Sequence, residues 1–497
     1  MTYIIGIDIG TGSTKAVALN SGGDVLHSTQ VSYPTLNPEP DHSEQAPEII
    51  WQAFVKCISR MVDFLDDKPA GIVLSTAMHS VIPVDAKGNP LMNMIIWADN
   101  RSASIAKRIK ESSSGEMIYT QTGMPIHAMT PLCKILWIKE NMPDLFIQVH
   151  KYISIKEYIW YKLFHVYEVD YSIASATGLF ELEKLRWNAN SLDLCGIQLQ
   201  QLSQPVPVDH VRKEIDPTLA DSLKLTVQTP IFIGSSDGCM ANIGSFAIDN
   251  GIAALTIGTS GAIRIGSKKP TFNFKAMTFT YCLFDNLFIS GGPINNGGIA
   301  LKWFAESFLK IKLDSPEAYE VLLGGIEKTN PGADGLIFLP YLLGERAPIW
   351  DSHSSAVFFG LKNFHTQAHL TRAVVEGISM ALFSISKAME KTGLTISKIH
   401  VSGGFVHSKS WLQILADIFN KEISLIHQED ASAIGAAYLG LKSLGIITTF
   451  SQLKPTLQTS FEPNTESHKI YQKLFPIYER LYEKLKDEML LLQDVRK

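Results

Sequence analysis

The stretch from Tyr3 to Leu19, YIIGIDIGTGSTKAVAL, constrains this chain more than any other. Ile4, Ile5, Ile7 and Ile9 form a near-continuous apolar run, the pattern of a strand buried on both faces, except that an ionisable Asp8 is set into it. Gly10, Thr11, Gly12 and Ser13 then make a tight turn, and Thr14 to Leu19 resumes as a second strand. Glycines at a hairpin tip relax the dihedral limits and let backbone amides approach a bound anion. Thr11 and Ser13 add hydroxyl donors, and Lys15 adds a cation just past the turn. An ordinary Gly-rich hairpin, standing alone, would read the same way. This one has an echo: Ala253 to Ile265, AALTIGTSGAIRI, is again an apolar run, then Gly258, Thr259, Ser260 and Gly261, then apolar residues. Two such units in opposite halves point to an internal duplication, with phosphate-facing hairpins on either side of a cleft.

A chain of 497 residues has room for two substantial domains. At 45% hydrophobic and 19% charged it is globular in composition, and a formal net charge of −5 gives no electrostatic case for nucleic acid or anionic membrane. The five cysteines (Cys57, Cys133, Cys195, Cys239 and Cys282) are too scattered for a zinc or redox motif and read as thiols of a reducing compartment. No apolar stretch approaches the roughly 20 residues that a membrane helix needs. Asp8 interrupts the only early apolar run and no basic segment precedes it, so it does not read as a signal peptide. A soluble cytoplasmic protein is expected.

Along the chain, Pro47 to Leu65 has helical spacing, and Ala70 to Thr76 reads as a buried strand that delivers Met78, His79 and Ser80 to its end. Strand ends in α/β sheets are where ligands bind. Ile95 to Arg101 repeats the arrangement with Trp97, Asp99 and Arg101, although Asp99 and Arg101 also fit a simple loop salt bridge. His127 falls in a loop before a helix that begins at MTPL, with Met129 at its start. Val169 to Phe180 reads as strand with turns, and Trp187 to Leu202 as helix. In Pro230 to Phe246 a strand leads through Gly234 to Ser236 into a helix, with Asp237 at the junction. Ser235 or Ser236 would serve as the cap, so the cap does not need Asp237. A domain boundary is expected near 247–252. Beyond it, Leu287 to Gly292 is a strand before Asn295 to Gly298 and a helix, Ile299 to Leu309. Leu370 to Glu390 and Lys409 to Phe419 read as helices, and Ile399 to Ser402 as a strand opening onto Gly403-Gly404. Ala431 to Leu441 reads as a helix with Gly435 for close packing, and the stripe Leu474, Tyr478, Leu481 and Leu485 docks a helical tail.

These residues resemble the FGGY carbohydrate kinases over nearly the whole length. The first signature of that family is recognisable in MTPLCKILWIKEN, Met129 to Asn141, and the second in AVFFGLKNFHTQAHLTRAVVE, Ala356 to Glu376. AMHS, IIWADNRS, GMPIHAMTPL and VDYSIASATG look most like the gluconate kinases within it. The resemblance implies an α/β fold of two actin-like (ribonuclease H-like) ATPase domains with a central cleft. They would comprise residues 1–247, with the acceptor and base, and 248–497, with the nucleotide site and a helical tail. It places the general base at Asp237 and substrate contacts at Met78, His79 and Met129. Thr11, Gly12, Ser13 and Lys15 fall on the first phosphate loop, and Gly258 and Thr259 on the second. Gly298, Gly403, Gly404 and Ser408 match nucleotide contacts, while Lys302 occupies a position that is often Gln. It implies ATP and Mg²⁺ as cofactors, a sugar acid as acceptor, and leaves room for a homodimer.

The chemistry fits the residues without the family. Phosphoryl transfer needs charge neutralisation around the γ-phosphate, an in-line hydroxyl and a proton acceptor. The hairpins supply amides and hydroxyls, Lys15 a cation, and Asp8 a carboxylate to hold Mg²⁺ through water; Asp237 would take the proton. Trp97, Asp99, Arg101, His127 and His79 are the acceptor candidates, with Arg101 suited to gripping a carboxylate through two hydrogen bonds. An actin-like structural or chaperone protein would keep both hairpins but need no acceptor set. A kinase of xylulose, ribulose or glycerol would differ only in the acceptor loops.

Overall fold

Two sheets, one in each half, carry the molecule; the computed structural model describes residues 2–313, 315–426, 430–453 and 457–495. The first sheet contains β1 (Tyr3–Ile9), β2 (Ser13–Asn20), β3 (Val25–Ser32), β4 (Gly71–Thr76), β5 (Val211–Arg212) and β6 (Ile231–Ser236), in the order β5-β6-β4-β1-β2-β3. β1, β2 and β3 are antiparallel neighbours, while β4 runs parallel to β1 and β6 parallel to β4. The isoleucines of β1 are fully buried, and Asp8 lies between Lys15 of β2 and Ser75 of β4. Helix α1 (Pro47–Leu65) covers this sheet with Ile50, Phe54, Ile58, Met61 and Val62, the face expected from their spacing. Helices α2 (Pro131–Asn141), α3 (Ile155–Phe164) and α4 (Asp237–Gly244) complete what matters for the site.

The second sheet holds β7 (Ile252–Ile257), β8 (Gly261–Ser267), β9 (Phe279–Phe284), β10 (Leu287–Ile294), β11 (Lys398–Ser402), β12 (Glu422–Ile426) and β13 (Leu457–Phe461), ordered β9-β10-β8-β7-β11-β12-β13. Its run β10-β8-β7-β11-β12 reproduces β3-β2-β1-β4-β6 strand for strand, antiparallel in the hairpins and parallel across the connections. The glycine turns therefore do mark a duplication. Helices α5 (Gly298–Trp303), α6 (Gln367–Glu390), α7 (Lys409–Phe419), α8 (Ala431–Ser443) and α9 (Thr465–Val495) follow. On α9, Tyr478 and Leu481 are buried in the second core, with Leu474 and Leu485 packed against it. Among the described residues, no helix is long and apolar enough to cross a membrane.

Helix α8 belongs to the second half of the chain but packs on the first sheet. Ala433, Ala436, Ala437 and Leu441 join Ile4, Val17, Val73 and Ile243 in one core. The approach is so close that a Cβ on Gly435 would stand 1.9 Å from the Met240 carbonyl oxygen of α4. A cut near residue 247 thus separates the two sheets, while the packing of the first sheet draws on both sides of it.

Three local readings change. Val169 to Phe180 contains a short helix, Tyr171–Ser175, between strands Glu168–Asp170 and Phe180–Glu181, because Asp170 caps it by accepting from the Ile173 amide. The helix expected over Trp187 to Leu202 is confined to Ala189–Cys195; it ends at Gly196, whose φ of 69° is left-handed. Ile299 to Leu309 is α-helical only through Trp303 and continues as a π-helical turn, Phe304–Phe308.

Candidate active site

The end of β4, the start of α4 and the two glycine turns converge on a cavity of about 320 Å³. The first half contributes Thr11, Met78, His79, Trp97, Met129 and Asp237, and the second Gly258, Ser260, Arg264, Tyr281 and Arg346. A larger recess of about 570 Å³ between α6 and α9 contains neither turn nor Asp237, so volume alone does not select the site.

Asp237 is the first residue of α4, but Ser236 caps that helix by accepting from the Cys239 amide. Among the described residues the Asp237 carboxylate accepts only a local bond, 2.6 Å from its neighbour Gly238 N. Burial pushes its carboxyl above the usual range, and Arg264, the Gly238 amide and Lys156 draw it part-way back. Lys156 Nζ also donates 2.8 Å bonds to Asp170 and to the Ser235 carbonyl, which anchors the strand end that presents Asp237. Burial and the nearby Asp237 push the Asp8 carboxyl up to about 7, although Ser75 Oγ donates to it at 2.8 Å. Asp8 and Asp237 are therefore two acids close enough to oppose each other's ionisation.

The turn glycines Gly12 and Gly258, and Gly404 after β11, sit at exposed tips where an added Cβ would meet nothing within 4 Å. Gly298 has a different task. Its amide donates 2.7 Å to the Gly258 carbonyl, and Ile299 N donates 3.1 Å to that of Thr259, which seats α5 on the second turn. Gly403, at φ 110°, packs against the Ile257 carbonyl of β7. Thr11 Oγ1 accepts from Trp97 Nε1 at 2.8 Å, tying an acceptor loop to the first turn beside Ser13. Lys15 is ion-paired with Asp430, ahead of α8, and both side chains remain partly exposed. Ser408, expected at the nucleotide, caps α7 through the Trp411 amide. Lys302 lies half exposed on the last turn of α5 and pairs loosely with Glu306 at 3.9 Å.

On the acceptor side, His79 has a left-handed backbone, φ 67°, a strained state that clusters at functional sites. Its Nδ1 meets the Ala176 carbonyl at 2.7 Å, so that nitrogen carries the proton and Nε2, 3.4 Å from the Tyr281 hydroxyl, is an acceptor. Burial, reinforced by Lys134, lowers its pKa to about 3. His127 is likewise lowered to about 3, chiefly by burial, and its Nδ1 accepts from the Met129 amide. Both rings are neutral at pH 7 and offer no charge to an acid.

Asp99 and Arg101 correct the expectation most sharply. Arg101 Nε donates to both oxygens of Asp99, its Nη2 donates 2.7 Å to Glu44, and Asp99 also accepts from Ser43 N. The side chains of Arg101 and Asp99 are 3% and 0% exposed, outside the cavity lining. This network braces the loop; it does not face the acceptor. Other charged residues, missed in the sequence, brace or line the cavity. Lys134 of α2 is fully buried and donates to the His79 carbonyl at 2.5 Å and to that of Ile96 at 2.8 Å, so one ammonium ties together the loops that carry His79 and Trp97. Arg264 is the one charged residue in the second hairpin stretch, residues 253–265, and that isolation could have flagged it. Arg346, in the polar loop GERAP, gave no signal.

Comparison with known proteins identifies the family. Residues 3–244 match the N-terminal domain of the FGGY family of carbohydrate kinases, and residues 253–444 match its C-terminal domain. The chain belongs to the FGGY family of carbohydrate kinases. It is 41% identical to a gluconokinase of Bacillus licheniformis over 496 residues, covering 98% of this chain and 97% of that protein. A ligand-bound xylulose kinase from Lactobacillus acidophilus superposes with a TM-score of 0.94 and a gluconate kinase from the same organism with 0.92, both 34% identical. They cover 98% and 97% of this chain, and it spans 99% and 98% of theirs. As an FGGY kinase the protein is a two-domain α/β phosphotransferase that acts on an alcohol group.

Proposed function

We propose that this FGGY kinase transfers the γ-phosphoryl group of ATP to the terminal hydroxyl of D-gluconate, giving 6-phosphogluconate, in the cytoplasm. The reading is carried by one observation: a single cavity holds both glycine turns, a half-buried carboxylate whose pKa is raised, and two guanidinium groups. The open tips at Gly12 and Gly258 give the phosphates access to backbone amides. Thr11, Ser13 and Thr259 add hydroxyls, and Gly404 leaves room on the nucleotide side. Met78, His79, Trp97 and Met129 hold the carbon chain and its hydroxyls, with the neutral His79 accepting a hydroxyl hydrogen at Nε2. Asp237 takes the proton from the attacking hydroxyl, and its raised pKa brings it nearer the operating pH, as a general base requires.

Asp8 and Asp237 fit a divalent cation, because two opposed acids become favourable once a positive charge lies between them. Mg²⁺ keeps most of its waters and shares phosphate oxygens, so two carboxylates are enough to serve it. When bound, that ion supplies charge neutralisation on the transferred group. All five cysteines are buried and unpaired, in keeping with a reducing compartment.

A second reading, a ketose kinase, draws on the structural likeness to a xylulose kinase. The excess of positive charge around the cavity favours the acid, as does the gluconokinase likeness over the whole chain. ATP-dependent phosphorylation of gluconate, xylulose, ribulose and glycerol, measured side by side, tests it. Gluconate should lead in kcat/KM by orders of magnitude, and a neutral sugar in first place would refute the gluconate reading.

A further inference from the structure

An acid acceptor needs donors that the protein itself does not already satisfy. Of the cations around the cavity, Arg101 is bound by Asp99 and Glu44, Lys156 by Asp170 and the Ser235 carbonyl, and Lys134 by two carbonyls. Arg264 and Arg346 differ. The Nε of each is buried and has no hydrogen-bond partner among the described residues. Arg346 is steadied at its far side, where Nη2 donates 3.0 Å to the Ile294 carbonyl and the guanidinium lies 5.3 Å over the Trp97 ring. The adjacent carboxylate, Glu345, is occupied by the amides of Asn295 and Arg346 and the side chain of Asn296. Arg264 projects from β8 against Gly238, next to the base and across from Met78. A buried N–H left without an acceptor is destabilising by the full desolvation of that group, so two of them in one cavity point to an anion that completes them.

We propose that Arg264 and Arg346 form the carboxylate seat of the acceptor site and set its preference for an acid over a neutral polyol. The assignment rests on the gluconate reading and adds the residues that read the charge. It also divides acceptor recognition between the two halves. Met78, His79, Trp97 and Met129 of the first half hold the chain, and the arginines of the second half hold the acid, so the acceptor itself ties one half to the other.

The test compares D-gluconate with D-glucitol, which has the same carbon chain without the carboxylate. Binding without nucleotide is measured by calorimetry, and KM and kcat by coupled assay, for the wild type, Arg264→Leu, Arg346→Met, the double variant and the milder Arg264→Lys. Each single loss should raise KM for gluconate by about 10²-fold, since a site that hydrogen-bonds a charged group rejects what cannot pair. KM for ATP should stay within a few-fold, the gluconate-to-glucitol preference should collapse in the double variant, and Arg264→Lys should recover part of it. Circular dichroism establishes that the variants are folded; Arg264→Gln or Arg346→Gln, closer in size, replaces any substitution that is not tolerated. Retention of the acid preference in the folded double variant overturns the proposal. So does a rise in KM for ATP with that preference intact, which would give the pair to the phosphates. If the wild type itself prefers a neutral sugar, the gluconate reading fails first, and the two failures are distinct.

Discussion

Asp8 makes the protein's stability depend on pH in a direction opposite to that of most carboxylates, and Asp8→Asn exposes it. Burial and the neighbouring Asp237 raise this carboxyl from 3.8 to about 7 in the folded chain. A raised acid favours the folded state below its unfolded value, near pH 4, and that contribution is lost as pH rises through 7. At about 1.4 kcal/mol for each tenfold, ionising Asp8 in the folded protein costs about 4 kcal/mol above pH 7. Asparagine keeps the shape and the Ser75 contact without the charge. In urea denaturation without nucleotide or metal, Asp8→Asn should therefore gain on the wild type as pH rises, with a difference about 2 to 3 kcal/mol larger at pH 8 than at pH 5. Added Mg²⁺ should stabilise the wild type at pH 8 and leave the variant unmoved, while phosphoryl transfer by the variant falls. A pH-independent difference, or a wild type that is the more stable of the two at pH 8, would refute the claim that Asp8 is a desolvated acid opposed by Asp237.

Other perturbations separate the parts of the site. Asp237→Asn fills the same space but cannot take a proton, so kcat should drop by roughly 10²–10⁴ with both substrates still bound; near-normal turnover would assign the proton to another group. Gly12→Val places a branched side chain where the turn is open, and calorimetry should find weaker ATP binding with gluconate binding kept. Unchanged ATP affinity in that folded variant would remove the first turn from the nucleotide site. Arg101→Met leaves Asp99 and Glu44 without their cation, so it should destabilise the protein by about 3–5 kcal/mol in denaturant titration. Its ratio of gluconate to neutral-sugar kcat/KM should be unchanged, and a shifted ratio would return Arg101 to the acceptor.

The sequence by itself determined what depends on neighbours along the chain. The two glycine turns, the apolar strands that flank them and the capped strand-to-helix junction at Asp237 are local patterns, and each was legible within a dozen or so residues. Met78 and His79 were legible because a buried strand must release its next residues at a sheet end. Tertiary structure alone decided how charge is allotted. Asp99 and Arg101 look available in IIWADNR, but Glu44, 57 residues earlier, closes their network. Arg264 and Arg346 lie 82 positions apart in sequence yet meet the first half's Asp237 in one cavity, because β8 and the loop at residues 344–348 both border it. Lys15 shows no partner in its own stretch, yet the return of α8 to the first sheet brings Asp430 to it. A cation's role is set by which acid reaches it first in space, and no local pattern records a partner that arrives from hundreds of residues away.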